Sequence, residues 1–433
     1  MKILITYSLV LCSLFSFAQN NLTLSDAINN SLENNFSIKI AKKEISIAEN
    51  DNSWGKAGML PTVNIGAIAG GKLENSPLSQ APYNNVNKTG NSITAFASVD
   101  WTIFSGFAIK ITKSNLALLE KASQGNSVIV VENAIQATML AYYKVLLENE
   151  RLSVLNKVVA LSKDRYIYWQ TKQEIGSSGS YEALQAKNDY LTDSTNVLMQ
   201  QMVVNSSKHK LNNLMGVEVA NEYILTDTFN SEVKNYELGN LLAQMTNNNK
   251  TLQNQYVNQN LLKNSINLSK SGYYPRLSMS TGYNNLTSSQ TPEGYPKTNY
   301  DTYDFYANFT LSFNLYNGGN TKRAIQNARI QEEVGLVRID EMKHNLSTLL
   351  FSQLDLYHAQ KQIYMVSEEN LKSADLNLTM SEEKYKFGAL SSINYRDVQI
   401  RYLSIATNRL QAIYDLISTD TELLRLTGGI ISE

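Results

Sequence analysis

The hydrophobic and polar positions of this chain change period several times along its length. Over residues 105–175, apolar side chains recur at spacings of three, four and seven, which predicts one long helix with an apolar stripe. Residues 317–387 also predict a long helix, because no proline interrupts them. Return helices are predicted over about 178–215 and about 391–427. The chain is therefore expected to contain two helical hairpins.

Ahead of each long helix the period changes to two, which is the period of a β-strand. The predicted strands are about 61–71, about 92–104, about 275–285 and about 303–316. Loops rich in asparagine and serine are expected at about 71–91 and about 284–301. The apolar face of the strands includes Val99, Trp101, Phe309, Leu311 and Phe313. Such alternation fits strands that cross a bilayer, and it also fits a soluble sheet with one face on a core.

The second half of the chain repeats the first, which indicates a duplicated structural unit. Pro61 corresponds to Pro275, and all six prolines fall in two short windows around the predicted strands. The repeats cover residues 19–216 and 237–433, and a linking segment at 217–236 joins them. Each repeat is expected to contain a short helical region, two strands, a long helix and a return helix.

Residues 1–18 have the features of a cleaved signal peptide, with Lys2 ahead of an apolar run that ends near Ala18. The only cysteine, Cys12, lies in this run, so the mature chain is expected to have no disulfide. A lipidated cysteine follows a small residue, but the residue before Cys12 is the large Leu11, so the sequence does not favour lipidation. No later stretch of 18 apolar residues occurs, so the exported chain is periplasmic, secreted or inserted as strands. The net charge of −1 gives no electrostatic basis for binding nucleic acid.

Four strands are too few to close a transmembrane barrel, since such barrels begin at about eight strands. An open sheet edge in lipid leaves backbone groups unpaired, and each costs several kcal/mol. If the strands cross lipid, the chain has to form an oligomer. Three copies would supply twelve strands and would arrange the helices as a hollow cylinder around one axis. A hollow cylinder of this kind is a conduit.

Several motifs occur in the same order in both repeats. Two long ones are "FNLYNGGNTKRAIQNA" at Phe313–Ala328 and "YKFGALSSINYRDVQIRYL" at Tyr385–Leu403. The repeats end in "LMG" at Leu214–Gly216 and "LTG" at Leu426–Gly428. The strand-to-helix signature consists of Asn317, Gly318, Gly319 and, in the first repeat, Gly106. Together these motifs resemble those of the TolC-type outer-membrane efflux channels.

The resemblance implies a mixed fold. A homotrimer would form a transmembrane β-barrel, four strands per chain and twelve in total, continuous with a long periplasmic α-helical barrel of coiled-coil hairpins. It implies a passive export duct in the cell outer membrane that expels small molecules or secreted proteins. The implied partners are outer-membrane lipid, a periplasmic adaptor protein and an inner-membrane pump of the RND or ABC type. Members of the family perform no chemistry of their own.

The resemblance also assigns candidate residues to the periplasmic entrance and to the hairpin tips. Asp397 stands where relatives carry an acidic ring, although an aspartate near a helix start also serves simply as a dipole partner. The other entrance candidates are Asn394, Glu182 and Gln185. The tip candidates for adaptor contact are Gly176, Ser177, Ser178, Gly388, Ala389 and Leu390. Tyr395 and Arg396 either hold the hairpins together or pair on the surface.

The residues give no indication of an enzyme. His209, His344 and His358 are isolated on predicted helices without the spacing of a metal site, and no nucleophile motif occurs. We therefore expect no catalytic residue, no cofactor and no metal. The main alternative to an export duct is a periplasmic coiled-coil scaffold or adaptor that does not enter the membrane.

Overall fold

The computed structural model describes residues 20–77, 85–177 and 180–431. The expected signal peptide, including Cys12, and the tip candidate Ser178 lie outside the described residues.

Eight α-helices form in the described residues, four in each repeat. The first repeat contains α1 (Leu24–Asn34), α2 (Phe36–Asp51), α3 (Ala108–Glu174) and α4 (Ser180–Met215). The second contains α5 (Leu238–Asn248), α6 (Lys250–Lys270), α7 (Asn320–Lys386) and α8 (Ser392–Leu426). The long helices α3 and α7 are each 67 residues long, so the duplication preserves their length.

Six strands form two sheets in the same described ranges. The strands are β1 (Asn20–Leu22), β2 (Thr62–Pro77), β3 (Asn85–Ser105), β4 (Tyr223–Leu225), β5 (Arg276–Pro292) and β6 (Thr298–Ser312). In the larger sheet the order is β2-β3-β5-β6, and every neighbouring pair is antiparallel. The strands β2 and β6 are therefore its edges. The short strands β1 and β4 pair in parallel.

The strands of the larger sheet extend far into the regions that the sequence predicts as loops. They are 16, 21, 17 and 15 residues long, whereas about 9–11 residues cross a bilayer. The predictions of loops at 71–91 and 284–301 are therefore wrong over most of their length, although 78–84 lie outside the described residues. Their asparagine, serine and threonine residues still form the backbone ladder, which does not require an apolar face.

Phe313 is a further correction, because β6 ends at Ser312 and Phe313 lies beyond the strand. The ladder stops where Ser312 pairs with Arg276, the first residue of β5. The residue before Arg276 is Pro275, which has no backbone N–H to continue the ladder.

The chain divides into two compact units that do not coincide with the sequence repeats. The sheet unit consists of Glu44–Gln124 and Asn254–Asp340. The hairpin unit consists of the residues up to Lys43, Gly125–Gln253 and Glu341 onward. Each unit takes corresponding segments from both repeats, so the duplicated sequence does not form two separate domains.

The hairpin unit has a hydrophobic core in each repeat. The first-repeat cluster contains Leu22, Ala27, Tyr142, Val145, Leu146, Leu211 and Met215. The second-repeat cluster contains Leu241, Met245, Leu350, Leu354, Tyr357, Leu416, Leu423 and Leu426. The Asn35 side-chain amide donates to the Leu214 carbonyl at 2.7 Å, and the corresponding Asn249 donates to Leu426 at 3.0 Å. These matching bonds tie the end of each return helix to the start of its own repeat.

Candidate functional site

The register of the larger sheet gives it one apolar and one polar face. Ile65, Ala97, Tyr283 and Phe305 pair across the four strands and form one row of the apolar face. Alternate residues form the polar face, where the Ser280 hydroxyl donates to the Asp100 carboxylate at 2.8 Å. Because the apolar face is largely exposed within one chain, it needs lipid or another protein to cover it.

The predicted lipid-facing residues in the strands all lie on this apolar face. Phe309 and Leu311 are exposed, Trp101 is partly exposed and Val99 is half-buried. A bulge between Thr102 and Phe104 shifts the register, so Phe104 pairs with Leu277. Leu311 pairs with Leu277 near the end of β6. Phe305 lies on the same apolar face, near the middle of β6.

The strand-to-helix turns have the same backbone shape in both repeats. Gly318 and Gly319 have φ values of 68° and 78°, and the corresponding Gly106 and Phe107 have 63° and 70°. Phe107 is the one described non-glycine residue with this left-handed conformation. Its ring packs edge-on between Phe104 and Tyr274, at centroid distances of 5.3 and 5.5 Å. This packing compensates for a backbone conformation that glycine adopts more easily.

Asn317 fixes the second of these turns. Its side-chain amide donates to the Thr321 hydroxyl at 2.8 Å, and its oxygen accepts from the Thr321 backbone N–H at 3.4 Å. The signature therefore stabilises the first turn of α7.

Each hairpin tip is a helix end closed by a left-handed glycine. The Ser177 N–H donates to the Lys172 carbonyl at 2.9 Å, and the Ala389 N–H donates to Lys384 at 2.8 Å. Gly176 and Gly388, with φ of 73° and 75°, make the companion bonds of this Schellman motif.

The residues just before the tip glycines are apolar and exposed. Ile175 is 72% exposed and Phe387, at the corresponding position of the second repeat, is 88% exposed. Leu390 is half-buried and Ala389 is exposed. The sequence analysis missed Ile175 and Phe387, although their position beside the tip glycines could have indicated them.

The entrance candidates of α8 lie on its exposed face. The Asp397 carboxylate accepts from Arg401 Nε at 2.8 Å, and both side chains are exposed. The Asn394 backbone N–H donates to the Ser391 hydroxyl, which caps the helix. Asp397 therefore carries a charge on the surface, and Arg401 accompanies it.

The entrance candidates of α4 do not meet those of α8 within one chain. Glu182 is half-buried in the first turn of α4, and Gln185 is exposed. In the described part of the chain, no hydrogen bond or ion pair joins Glu182 or Gln185 to Asn394 or Asp397.

Arg396 belongs to a buried charge cluster that joins α8 to α4. Its Nη1 and Nη2 donate to the two carboxylate oxygens of Asp193 at 2.7 and 2.8 Å. Asp189, one turn earlier, pairs with Arg165 of α3. Tyr395 is also buried, and its ring stacks on Tyr385 at 4.7 Å. Arg396 therefore joins the two hairpins inside one chain. Tyr395 packs within the second hairpin, in a buried cluster that also includes Val158 of α3, and neither residue pairs on the surface.

In this cluster, burial acts to lower the pKa of each arginine, and the nearby carboxylates act to raise it. Burial lowers the pKa of Arg165, and Asp189 offsets this effect only in part. For Arg396, burial also acts to lower the pKa, but the hydrogen bond and charge of Asp193 outweigh it and raise the pKa. The sequence did not identify Arg165, Asp189 or Asp193, because a single chain gives no signal for contacts between helices so far apart in sequence.

The helix α4 carries an exposed apolar stripe. Its members are Tyr181, Leu184, Leu191, Leu198 and Met202, and each is at least half exposed. The three leucines recur every seventh residue, which is the period of a coiled-coil seam. The opposite side of α4 is buried in the chain through Ala183 and Ala186. Within the described part of the chain the stripe stays at least half exposed, and its period is that of a surface that packs on another helix.

Comparison with protein families finds a match in the second repeat. Residues 241–429, which are less than half of the chain, match the model of the family described as outer membrane efflux protein. The second repeat is therefore similar to the outer membrane efflux proteins. Compared with curated proteins, the chain has no match.

Solved structures show that the chain shares its fold with known outer-membrane channels. The CmeC outer membrane channel of Campylobacter jejuni is 16% identical, with a TM-score of 0.72, and the match covers 94% of this chain and 85% of CmeC. The open-state MtrE outer membrane channel of Neisseria gonorrhoeae is 14% identical, with a TM-score of 0.70 and coverage of 94% and 89%. CusC is 14% identical, with a TM-score of 0.72 and coverage of 94% and 92%.

The described part of the chain presents several exposed surfaces. Among the described residues, no three His, Cys, Asp or Glu side chains form a group that could hold a metal ion. In the same residues, no helix has the length and hydrophobicity needed to span a bilayer. The features that can act are the apolar sheet face, the α4 stripe, the tips and the entrance residues.

Proposed function

We propose that three copies of this chain form one passive export duct through the outer membrane. The observation that carries the proposal is the pair of open edges, β2 and β6, on a sheet whose apolar face is exposed. In lipid both edges need partners, because each unpaired backbone group costs several kcal/mol. Pairing β6 of one copy with β2 of the next satisfies them, and three copies close a barrel of twelve strands.

The helices support the same assembly. The α4 stripe has the seven-residue period that packs against another helix, and α7 exposes a second apolar set. This set contains Leu356, Ile363, Val366, Leu376 and Met380. In the proposed trimer the α4 stripe of one copy packs against α7 of its neighbour. The hairpins then enclose a water-filled passage on the periplasmic side.

The proposed entrance is lined by the exposed face of α8. Asp397 and Arg401 recur three times around the axis, with Asn394 one turn closer to the tip. Three carboxylates at a narrow opening attract cations, although Arg401 reduces the local negative charge. Glu182 and Gln185 of α4 line the same opening in this proposal.

The hairpin tips are the proposed contact for a periplasmic adaptor. Ile175 and Phe387 expose apolar side chains beside Gly176 and Gly388, and such residues gain from burial in a partner. The adaptor would connect the duct to an inner-membrane pump, of the RND or ABC type, that supplies the energy. The cargo is then small molecules or secreted proteins selected by the pump.

The experiment compares two arginine variants on opposite faces of the sheet. Phe305→Arg puts a charge in the middle of the apolar face, which costs about 2–4 kcal/mol in lipid, whereas Asn308→Arg puts it on the polar face. We expect the wild type and Asn308→Arg to stay in the membrane after a carbonate wash and to conduct ions in planar bilayers. Phe305→Arg should lose both properties. A wild type that washes off the membrane would identify a periplasmic scaffold instead.

A further inference from the structure

One cleft of the sheet unit is basic and belongs to no feature discussed above. It has a volume of about 570 Å³ and lies between the end of α6 and the first turns of α7. Its polar and aromatic lining comes from Lys270, Tyr273, Tyr274, Lys322, Gln326 and Arg329. We name it the basic cleft.

The helix geometry explains why the cations converge. Lys322, Gln326 and Arg329 follow the three- and four-residue spacing of one helix face, so they project on the same side of α7. Ile325, from the same face, is buried and forms the floor. Lys270 is the last residue of α6 and contributes the charge from the other wall.

The nearest acidic residues of α7, Glu332 and Glu333, lie three and four positions after Arg329, and among the described residues no ion pair joins either of them to it. Residues 261–276 and 313–331 contain no Asp or Glu. In the described part of the chain, no ion pair or hydrogen bond involves the side chain of Lys270, Lys322 or Arg329. Three unpaired cations around one cleft repel each other, and a bound anion would relieve that repulsion.

The first repeat shows that the duplication does not require this arrangement. Lys56 corresponds to Lys270, but Lys56 pairs with Asp51 at 3.3 Å. Position 265, which corresponds to Asp51, is a serine, and the position that corresponds to Arg329 is Ala117. The excess positive charge is therefore specific to the second repeat.

The surroundings of the cleft indicate which anion fits. Tyr274 lines the cleft and also packs on Phe107, whose ring contacts Phe104. Phe104 pairs with Leu277 at the end of the apolar sheet face. The cleft therefore continues from an apolar surface through aromatic rings to cations, which is the order of acyl chain, interface and headgroup in a phospholipid.

We propose that the basic cleft binds the phosphate headgroup of an anionic phospholipid from the periplasmic leaflet of the outer membrane. The proposal rests on the proposed function, because it requires the apolar sheet face to lie in lipid. The headgroup phosphate would contact Lys270, Lys322 and Arg329, Tyr273 and Tyr274 would lie at the interface, and the acyl chains would cover the sheet end near Leu277.

The test compares two charge-matched double variants. Lys270→Gln with Arg329→Gln removes one cation from each wall of the cleft. Lys263→Gln with Arg338→Gln removes one lysine from α6 and one arginine from α7 outside it. Native mass spectrometry of each detergent-purified protein would count bound phosphatidylglycerol, with phosphatidylcholine as the zwitterionic comparison. We expect the cleft variant to bind phosphatidylglycerol about tenfold more weakly than the wild type and the control variant.

Four results would overturn the proposal. The cleft variant could retain as much phosphatidylglycerol as the control, or the wild type could bind phosphatidylcholine equally well. Displacement of the lipid by millimolar inorganic phosphate would identify a free-anion site. Dissociation of the assembly in the cleft variant alone would identify a contact between subunits. Bilayer conductance of the wild type, measured on the same sample, distinguishes these failures from a failure of the proposed function.

Discussion

The two return helices, α4 and α8, correspond in the duplicated sequence but have different surfaces. They are 36 and 35 residues long. Along its first turns α4 exposes the apolar stripe, while its buried residues there are the small Ala183 and Ala186. In α8 the large aromatics Tyr395 and Tyr402 are buried, and the exposed face carries Asn394, Asp397 and Arg401.

This difference shows how a duplicated unit acquires two roles. In α8 the aromatic side chains fill the interior of the hairpin unit, and its outward face carries polar residues together with the exposed Ile393 and Ile400. In α4 the leucines lie outside the chain's own core, where only another chain can bury them. The same helix length thus serves an internal packing role in one repeat and, as we propose, a role between subunits in the other.

The largest expected effect comes from charges in the α4 stripe. Leu191→Asp with Leu198→Asp should convert the trimer to monomers, because each buried leucine contributes about 1.5–3 kcal/mol at every subunit contact. Size-exclusion chromatography with light scattering would measure the mass. The matched control is Ile393→Asp with Ile400→Asp on the exposed face of α8, which should leave the mass unchanged. Equal effects from both pairs would remove the distinction between the helices.

The buried charge cluster gives the next effect. Asp193→Asn leaves the largely buried Arg396 guanidinium with Asp189, at 3.9 Å, as its remaining carboxylate, which we expect to cost about 3 kcal/mol of unfolding free energy. Hydrogen exchange of the α8 amides would report this loss. Asp397→Asn, which breaks the exposed pair with Arg401, should cost at most about 1 kcal/mol. If both variants opened α8 equally, Asp193 would not be the residue that fixes it.

A pH effect is expected from Glu148 in the first hairpin. Glu148 is buried, which acts to raise its pKa, but hydrogen bonds from Lys144 and Gln200 and the charge of Arg151 lower it overall. The corresponding residue of the second repeat is Gln360, which does not titrate.

The sign of this effect follows from the lowered pKa. Because the folded-state pKa lies below the unfolded one, the stabilisation is complete above the unfolded pKa and is lost as pH falls through the folded pKa. Glu148→Gln should lower the free energy of unfolding by about 1–3 kcal/mol at neutral pH. It should also weaken the acid dependence of hydrogen exchange in α3 and α4. Glu150→Gln, at an exposed position, is the control and should change neither. If the acid dependence of hydrogen exchange is unchanged in Glu148→Gln, other titrating groups cause it.

The smallest effect is expected at the entrance. Asp397→Ala should reduce block by divalent cations on the order of fivefold in planar bilayers, because three carboxylates leave the opening and three Arg401 side chains remain. Asn408→Ala, farther along the exposed face of α8, should leave the block unchanged. If the block persists in Asp397→Ala, Asp397 does not face the passage.

The parts of the fold that depend on local periodicity could be predicted from the sequence, and those that depend on long-range pairing could not. Alternation of apolar and polar residues identified the sheet face that contains Phe309 and Leu311. The polar ends of the strands have no such alternation, so the sequence predicts loops at residues such as Asn87 and Ser289, which lie in strands. Arg396 and Asp193 lie 203 positions apart, and a single sequence contains no signal for such a pair.

The central claim is that the chain functions as three copies that share one barrel. Native mass spectrometry of the protein extracted from outer membranes measures this directly. We expect a complex with three times the mass of one mature chain. A stable single chain, or a complex of two, would leave sheet edges open in lipid and would contradict the account.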